Sequence, residues 1–197
     1  MIFASSAAVY GEPCYLPIDE AHPKQSLSYY ALSKTTAEEY IQLFSKQFGL
    51  NYSILRFSNV YGPGQNVDGE AGVISIFIDQ LLKDMTPTIY GGKQTRDFVY
   101  VKDVVSALVK TAQIDSNGIF NISSNTEITI KEVLEALMKN IPTNAPPQYA
   151  APKVGDILKS RLNNKKAMNA LQWKPLHSLS EGLTHTVKSY KNKPSAD

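Results

Sequence analysis

In the stretch Ser28-Tyr29-Tyr30-Ala31-Leu32-Ser33-Lys34 a tyrosine and a lysine stand four residues apart. On a helix this spacing puts Tyr30 and Lys34 on one face. A phenol beside an ammonium can move a proton. A free tyrosine ionises near pH 10, and bringing it to neutrality takes roughly 4 kcal/mol of preferential stabilisation of the phenolate. A cation one turn away can supply part of that, and a cationic ring on a bound ligand can supply more. A packed tyrosine beside a solvated lysine has the same spacing, so the pair carries chemistry only if other groups converge on it.

Such a pair needs elements that hold it. After Lys34 the text "TTAEEYIQLFSKQFG" sets Tyr40, Ile41, Phe44 and Phe48 near helical spacing before Gly49, which predicts a helix over about 30–48. The apolar run "IFAS" at 2–5 reads as a buried parallel strand, and "GEPCYLPIDEAHPKQSLS" as a loop. A second strand is expected over about 52–56 in "NYSILRFSNVYG", ending at Gly62-Pro63-Gly64. Strand, helix, strand is the unit of a parallel sheet. Downstream, "GVISIFIDQLLKD" predicts an amphipathic helix, and "TPTIYGGKQTRDFVYV" two short strands about Gly91-Gly92. Asp103 is expected to cap the helix "VVSALVKTAQ", and "GIFNIS" is a third parallel strand. Capping boxes pair Thr129 with Glu132 and Ser178 with Glu181, each opening a helix. Between them "IPTNAPPQYAAPK" is expected to be an extended crossover, and "NKPSAD" a frayed tail.

Composition narrows the partners. With 197 residues, 43% hydrophobic and 19% charged, the chain can bury a real core. A net charge of +2 and no basic run beyond Lys165-Lys166 argue against nucleic acid or an anionic membrane as partner. Small molecules are the expected ligands. The single Cys14 excludes an internal disulfide and suits a reducing compartment, and "MIFASSAAVY" lacks the charged start of a signal peptide, so a cytoplasmic location is expected. His22, His177 and His185 are scattered without metal-ligand spacing, and no metal site is expected.

Company for the tyrosine comes from "SSAAVYG" at 5–11, which sets Ser6 at the carboxyl end of a buried strand, where open α/β sheets bind ligands. A strand-end serine, then Y-x-x-x-K, then "RFSNVYGPGQ", "GGKQTRDFVYVKDV", Gly155-Asp156 and Trp173-Lys174-Pro175 follow in order. This ordered set resembles the extended short-chain dehydrogenase/reductase family, and within it the nucleotide-sugar epimerases of the UDP-glucose 4-epimerase kind. The related dehydratases have an acidic pair at the strand end, whereas this chain has Ser6-Ala7-Ala8. The resemblance implies an α/β fold: part of a Rossmann-type parallel sheet over 1–64 and 96–124, a small nucleotide-sugar-binding domain over 65–95 and 125–190, and a tail over 191–197.

Roles follow from the same resemblance. Tyr30 is the general base on a sugar hydroxyl, Lys34 holds the nicotinamide ribose of NAD, and Ser6 bonds the reacting hydroxyl. Asn59 and Arg96 match positions that hold the substrate's diphosphate, with an Arg96 contact to Asp97 or a surface arginine as the alternative. Lys153 stands where the family usually has an arginine, so a phosphate contact there loses its bidentate geometry. Asp156 matches a residue that touches the nucleotide ribose or supports the nearby loop, a helix cap being the other reading. A strand-end serine bonding backbone is the alternative for Ser6.

The family also has a G-x-x-G-x-x-G turn for the NAD pyrophosphate. This sequence has none, its nearest approach being Gly69-Glu70-Ala71-Gly72 with Ser75 at the third position. The resemblance therefore implies that Met1 falls inside the fifth family strand, that about a hundred residues with most of the NAD site precede it, and that this piece alone binds NAD weakly. Two classes of function follow: a piece of an NAD-dependent epimerase (or of a dehydratase or reductase of the same family), and a non-catalytic nucleotide-sugar-binding or dimerising module. A bare edge at Ile2 and Phe3 and an apolar helix face predict a homodimer or larger assembly.

Overall fold

The computed structural model describes residues 1–67, 71–114, 117–143, 146–152 and 155–192. In chain order the first elements are β1 (Ile2–Ser6), α1 (Tyr29–Phe48), β2 (Ser53–Phe57), β3 (Asn59–Tyr61), α2 (Val73–Leu82), β4 (Thr88–Tyr90), β5 (Thr95–Arg96) and β6 (Phe98–Tyr100). They continue with α3 (Val101–Gln113), β7 (Gly118–Ile122), β8 (Ile128–Thr129), α4 (Ile130–Met138), β9 (Gln148–Ala150), α5 (Lys165–Ala170) and α6 (Leu179–Lys191).

The three predicted strands form one parallel sheet in the order β1, β2, β7, with Ser6 opposite Phe57 and Phe57 opposite Ile122 at their carboxyl ends. Residues alternate between the two faces of a strand. On one face Leu55 and Phe120 pack with Val104 and Ala107 of α3, with Ala167 of α5 and with Trp173. On the other face Ser5, Arg56 and Asn121 stand opposite one another across all three strands. A second core lies to one side of the sheet, where α2, α4 and α6 bury Ile78, Leu134 and Leu183 against Tyr61, Phe98 and Tyr100. Among the described residues no helix is long and apolar enough to cross a membrane.

The polar row on the sheet is closed by α1. Arg56 donates from Nε to Glu38 Oε1 at 2.9 Å and from Nη2 to Glu38 Oε2 at 2.6 Å, and Ser5 Oγ donates to the same carboxylate at 2.6 Å. The remaining arm of Arg56 donates from Nη1 to the Tyr10 hydroxyl at 3.0 Å, and Tyr10 donates onward to Asn121 Oδ1 at 2.7 Å. Glu38 is 0% and Arg56 2% exposed. Burial pulls the Arg56 guanidinium down, but its bonds to Glu38 and Tyr10 outweigh this and leave it above its ordinary value. Burial pushes the Tyr10 phenol up to about 12, so it remains a neutral donor.

Some expectations are corrected. Helix α1 starts on the Ser28 cap and stops at Gly49 (φ 70), as its sequence predicts, but its inward face is Ala31, Glu38 and Ile41. Tyr40, Phe44 and Phe48 are exposed on its outer side, as the apolar helix face expected from sequence. Asp103 is not the cap of α3; Tyr100 takes that place, and Asp103 is buried in the first turn. There it accepts from the backbone of Leu176 and His177 at 3.1 and 3.2 Å and from His177 Nδ1 at 2.9 Å, tying the segment after Trp173 to α3. The strands about Gly91-Gly92 do not pair with each other: β4 runs parallel to β9, and β5 antiparallel to β8. Both glycines have positive φ (71° and 80°), and Gly91 donates to Ala150 O at 2.9 Å, which continues the β4–β9 ladder instead of closing a hairpin. β9 lies within the stretch expected to be an extended crossover. The tail expected over 191–197 lies, from 193 onward, outside the described residues.

Removing one partner of a buried ion pair strands the other charge. Glu38→Gln is expected to destabilise the chain by about 3–5 kcal/mol in urea unfolding followed by circular dichroism. A loss below about 1 kcal/mol, the range of exposed pairs, would show that this clamp is not structural.

Candidate active site

Tyr30 lies in the first turn of α1 and Lys34 one turn later, directly before the turn that carries Glu38. The Glu38–Arg56 clamp therefore sets the rotation of the helix, and with it the place of Lys34. Lys34 Nζ donates to Ala4 O on β1 at 2.9 Å and sits 5.2 Å from the centre of the Phe3 ring and 5.7 Å from that of Tyr30. Tyr30 is 42% exposed, so its ring faces open space beside a fixed cation. Ser6 ends β1, two residues beyond Ala4, and its Oγ accepts from Ala8 N at 3.2 Å, capping a 3-10 turn over Ala7–Tyr10. The backbone-bonded serine weighed from sequence is thus present. Among the described residues no hydrogen bond joins the Ser6 and Tyr30 hydroxyls; catalytic contacts are often loose without ligand.

The substrate candidates gather elsewhere. Asn59, Arg96 and Asp156 line one cleft of about 490 Å³, together with Gln94, Tyr90 and Phe77. Lys153 lies outside the described residues. A larger hollow of about 630 Å³, lined by Met1, Tyr52 and Ile114, opens at the amino ends of β1 and β2 and holds none of the candidate residues. Size alone does not mark the site, because ligands of such sheets bind at the carboxyl ends.

Alternation along the chain separates Arg96 from Asp97. Arg96 reaches into the cleft, where Nη2 is ion-paired with Asp156 Oδ1 and Nη1 donates to the carbonyls of Thr95 at 2.8 Å and Ile157 at 2.6 Å. Asp97 turns inward, so the neighbour contact weighed for Arg96 is not formed. The Asp97 carboxyl accepts from Ser124 N and Oγ at 2.9 and 2.8 Å, from Asn125 N at 3.1 Å and from Leu162 N at 3.1 Å. It thereby joins the end of β7 and the 162 segment to the strand entering the cleft. Burial pushes this carboxyl up to about 6, against the pull of those donors. Asp156 caps no helix: its carboxylate bridges Arg96 and Gln94, whose Nε2 donates at 3.2 Å.

Sequence reading missed Glu38, Arg56, Gln94 and Asp97. Two signals were available. Glu38 follows Lys34 by four residues, as Lys34 follows Tyr30, and Arg56 interrupts an otherwise apolar strand, which demands a buried partner. Gln94 and Asp97 had no such signal, because their roles depend on segments 60 or so residues away.

The NAD dependent epimerase/dehydratase family profile matches residues 1–123. The protein of Methanocaldococcus jannaschii named "Putative UDP-glucose 4-epimerase" is 47% identical over 194 residues, 98% of this chain and 63% of that protein. A UDP-glucose 4-epimerase of Thermotoga maritima, solved with UDP-glucose, superposes with a TM-score of 0.93 at 37% identity, over 96% of this chain and 62% of that one. The UDP-glucose 4-epimerase of Thermus thermophilus, solved with NAD, gives 0.87 at 36% identity, over 97% and 63%. This chain thus spans a little under two thirds of the length of these relatives.

The raised Asp97 carboxyl makes a pH prediction. Its folded value of about 6 exceeds the ordinary 3.8, so its contribution to stability is fully present below about 3.8 and is lost as pH rises through 6. Stabilities from urea unfolding at pH 4, 5, 6 and 7 are expected to decline by an amount on the order of 3 kcal/mol from this group. In Asp97→Asn that slope disappears, although the variant is less stable throughout because an amide nitrogen cannot accept from Asn125 or Leu162. An unchanged slope in the variant would place the titration elsewhere.

Proposed function

This chain belongs to the NAD dependent epimerase/dehydratase family, and we propose that it carries the catalytic and sugar-nucleotide part of an NAD-dependent nucleotide-sugar epimerase of the UDP-glucose 4-epimerase kind. The observation that carries this reading is the Tyr30–Lys34 pair held against β1, in a chain whose separate cleft collects Asn59, Arg96 and Asp156. The cofactor is tested against the same residues. An ammonium has three N–H donors and Ala4 takes one from Lys34, so donors remain for a ribose hydroxyl. Tyr30 and Lys34 fit the nicotinamide-ribose end, and the sequence has no glycine-rich turn for the pyrophosphate end. NAD, when bound, supplies the chemistry of accepting a hydride from a sugar carbon and returning it.

What the chain's own groups do follows from their placement. Tyr30 accepts the proton of the sugar hydroxyl on its phenolic oxygen and later gives it back. Lys34 sets a positive charge one turn away and keeps the Tyr30 ring beside the end of β1. Ser6 exchanges its backbone partner for the reacting hydroxyl and orients it toward Tyr30. Arg96 and Asn59 hold the diphosphate, the first by charge and the second as a neutral donor. Expelling water from a neighbouring carbon, as a dehydratase must, requires an acid at the strand end. The 3-10 turn offers Ala7 and Ala8 there, which favours epimerisation over dehydration.

Assembly and location belong to the same proposal. Tyr40, Phe44 and Phe48 form an exposed stripe on α1, and Ile2 is exposed on the edge strand β1. We read these surfaces as the contacts of a homodimer or larger assembly. The free, exposed Cys14 suits a reducing, cytoplasmic setting.

Two measurements test the reading. A chimera carrying the glycine-rich part of the Thermotoga maritima enzyme ahead of residue 1 is expected to interconvert UDP-glucose and UDP-galactose, and Tyr30→Phe to lower kcat by about 10²–10⁴ with a smaller change in KM. Normal turnover in the chimera bearing Tyr30→Phe removes Tyr30 from the chemistry. Sedimentation over a concentration series is expected to show dimers that dissociate in Phe44→Glu; a monomer at high concentration would overturn the assembly.

A further inference from the structure

Helix α6 brackets the turn that leaves β3. Near the start of the helix the Tyr61 hydroxyl donates to Leu179 O at 3.4 Å, and Gly182 makes room for that ring, since a Cβ there would lie 2.1 Å from the hydroxyl. Near its end the Tyr190 hydroxyl donates to Gln65 O. The turn Gly62-Pro63-Gly64 is therefore held at both ends by one helix, itself anchored by Leu183 and Val187 in the second core. Gln65 passes the constraint on. Its amide lies against Gly72, with Nε2 2.7 Å from where a Cβ on that glycine would stand, and Nε2 also donates to Val60 O at 3.5 Å. Gly72 opens α2 and forms, with Val73, Ile76 and Phe77, one wall of the cleft that Asn59 and Arg96 also line. Burial holds the Tyr190 phenol above its ordinary value, so at neutral pH it is a donor.

We infer that Tyr190 is a positioning residue for this cleft: through Gln65 it holds the Gly72 end of α2 in the place that a bound ligand requires. The inference rests on the reading of the cleft as the nucleotide-sugar site. Tyr190 does not line the cleft and acts only through the backbone it fixes. The turn it fixes has little shape of its own. Gly62 and Gly64 have φ of 153° and 85°, and glycine backbones have many alternatives to any one conformation, so the turn depends on bonds from outside. Without the Tyr190 hydroxyl an arriving ligand must order the turn and the wall itself, and that ordering is subtracted from its binding. One such hydrogen bond is worth about three- to tenfold in an equilibrium.

The test titrates the 197-residue chain with UDP by calorimetry, at a temperature where circular dichroism shows each variant fully folded. Tyr190→Phe keeps the ring in the core and removes only the hydroxyl. It is expected to bind UDP about three- to tenfold more weakly than the parent. Lost stability alone leaves the affinity of folded protein unchanged, so equal binding in Tyr190→Phe overturns the inference and makes the residue merely structural. Gln65→Ala keeps the carbonyl that Tyr190 bonds and removes the amide that touches Gly72. It is expected to weaken UDP binding by a similar factor. Two residues acting through one series of contacts do not add, so the double variant is expected within about twofold of the weaker single variant. Unaltered binding in Gln65→Ala, or factors that multiply in the double variant, overturns the route through Gln65. Failure of the parent to bind UDP overturns the inference together with the nucleotide-sugar reading, whereas a parent that binds and single variants that equal it overturn the inference alone.

Discussion

A charge inside a sheet is the constraint around which this molecule is arranged. Arg56 sits on the middle strand, 2% exposed, where an unpaired guanidinium would cost several kcal/mol of lost hydration. Every neighbouring element contributes to satisfying it. Helix α1 supplies Glu38, the 3-10 turn supplies Tyr10, and the flanking strands supply Ser5 to Glu38 and Asn121 to Tyr10. Asn121 extends the chain of bonds to the carbonyls of Ile18 and Asn163 at 3.0 and 3.3 Å. An apolar helix face can rotate or slide at small cost. A bidentate carboxylate cannot, and that is what carries precision from the sheet to the residues one and two turns earlier, Lys34 and Tyr30.

The opposite face of the same sheet follows other physics. Leu55, Phe120 and Trp173 give area removed from water but little direction, and directional bonds there include Trp173 Nε1 to Asp103 O at 2.9 Å and the 176–177 backbone N–H groups to the Asp103 carboxylate. This face joins the segment 161–173 to the sheet. The resemblance expected that segment in the small nucleotide-sugar-binding domain, whereas Ala167, Leu171 and Trp173 pack on the sheet. A second core gathers about Leu134 and Leu183, and the Asp97 carboxylate accepts from Ser124 and Leu162. One residue before Asp97 stands Arg96. Strand alternation sends one side chain inward as a brace and the next outward to the cleft, so the arginine stands beside a densely bonded carboxylate.

Local chemistry left a legible record in the sequence. Tyr30 and Lys34 at helical spacing, the Ser28 cap and Gly49 stop of α1 and the capping boxes at Thr129 and Ser178 are all decided within a few residues, by backbone geometry and hydrogen bonds that close locally, and the three strands of the sheet are legible as short apolar runs. Element types, the order of the motifs and the face shared by Tyr30 and Lys34 are therefore properties of the linear text. Which apolar residues are covered is settled only in three dimensions: on α1 Ile41 is buried while Tyr40, Phe44 and Phe48 lie exposed, because the rotation of the helix is dictated by its Glu38 carboxylate meeting Arg56 on β2. The divergence of β4 and β5 to separate partners is settled there too, since strand pairing is a choice between distant segments. So is the meeting of Asp156 with Arg96, because an ion pair across 60 residues is fixed by where two backbones meet in space and leaves no periodic trace along the chain.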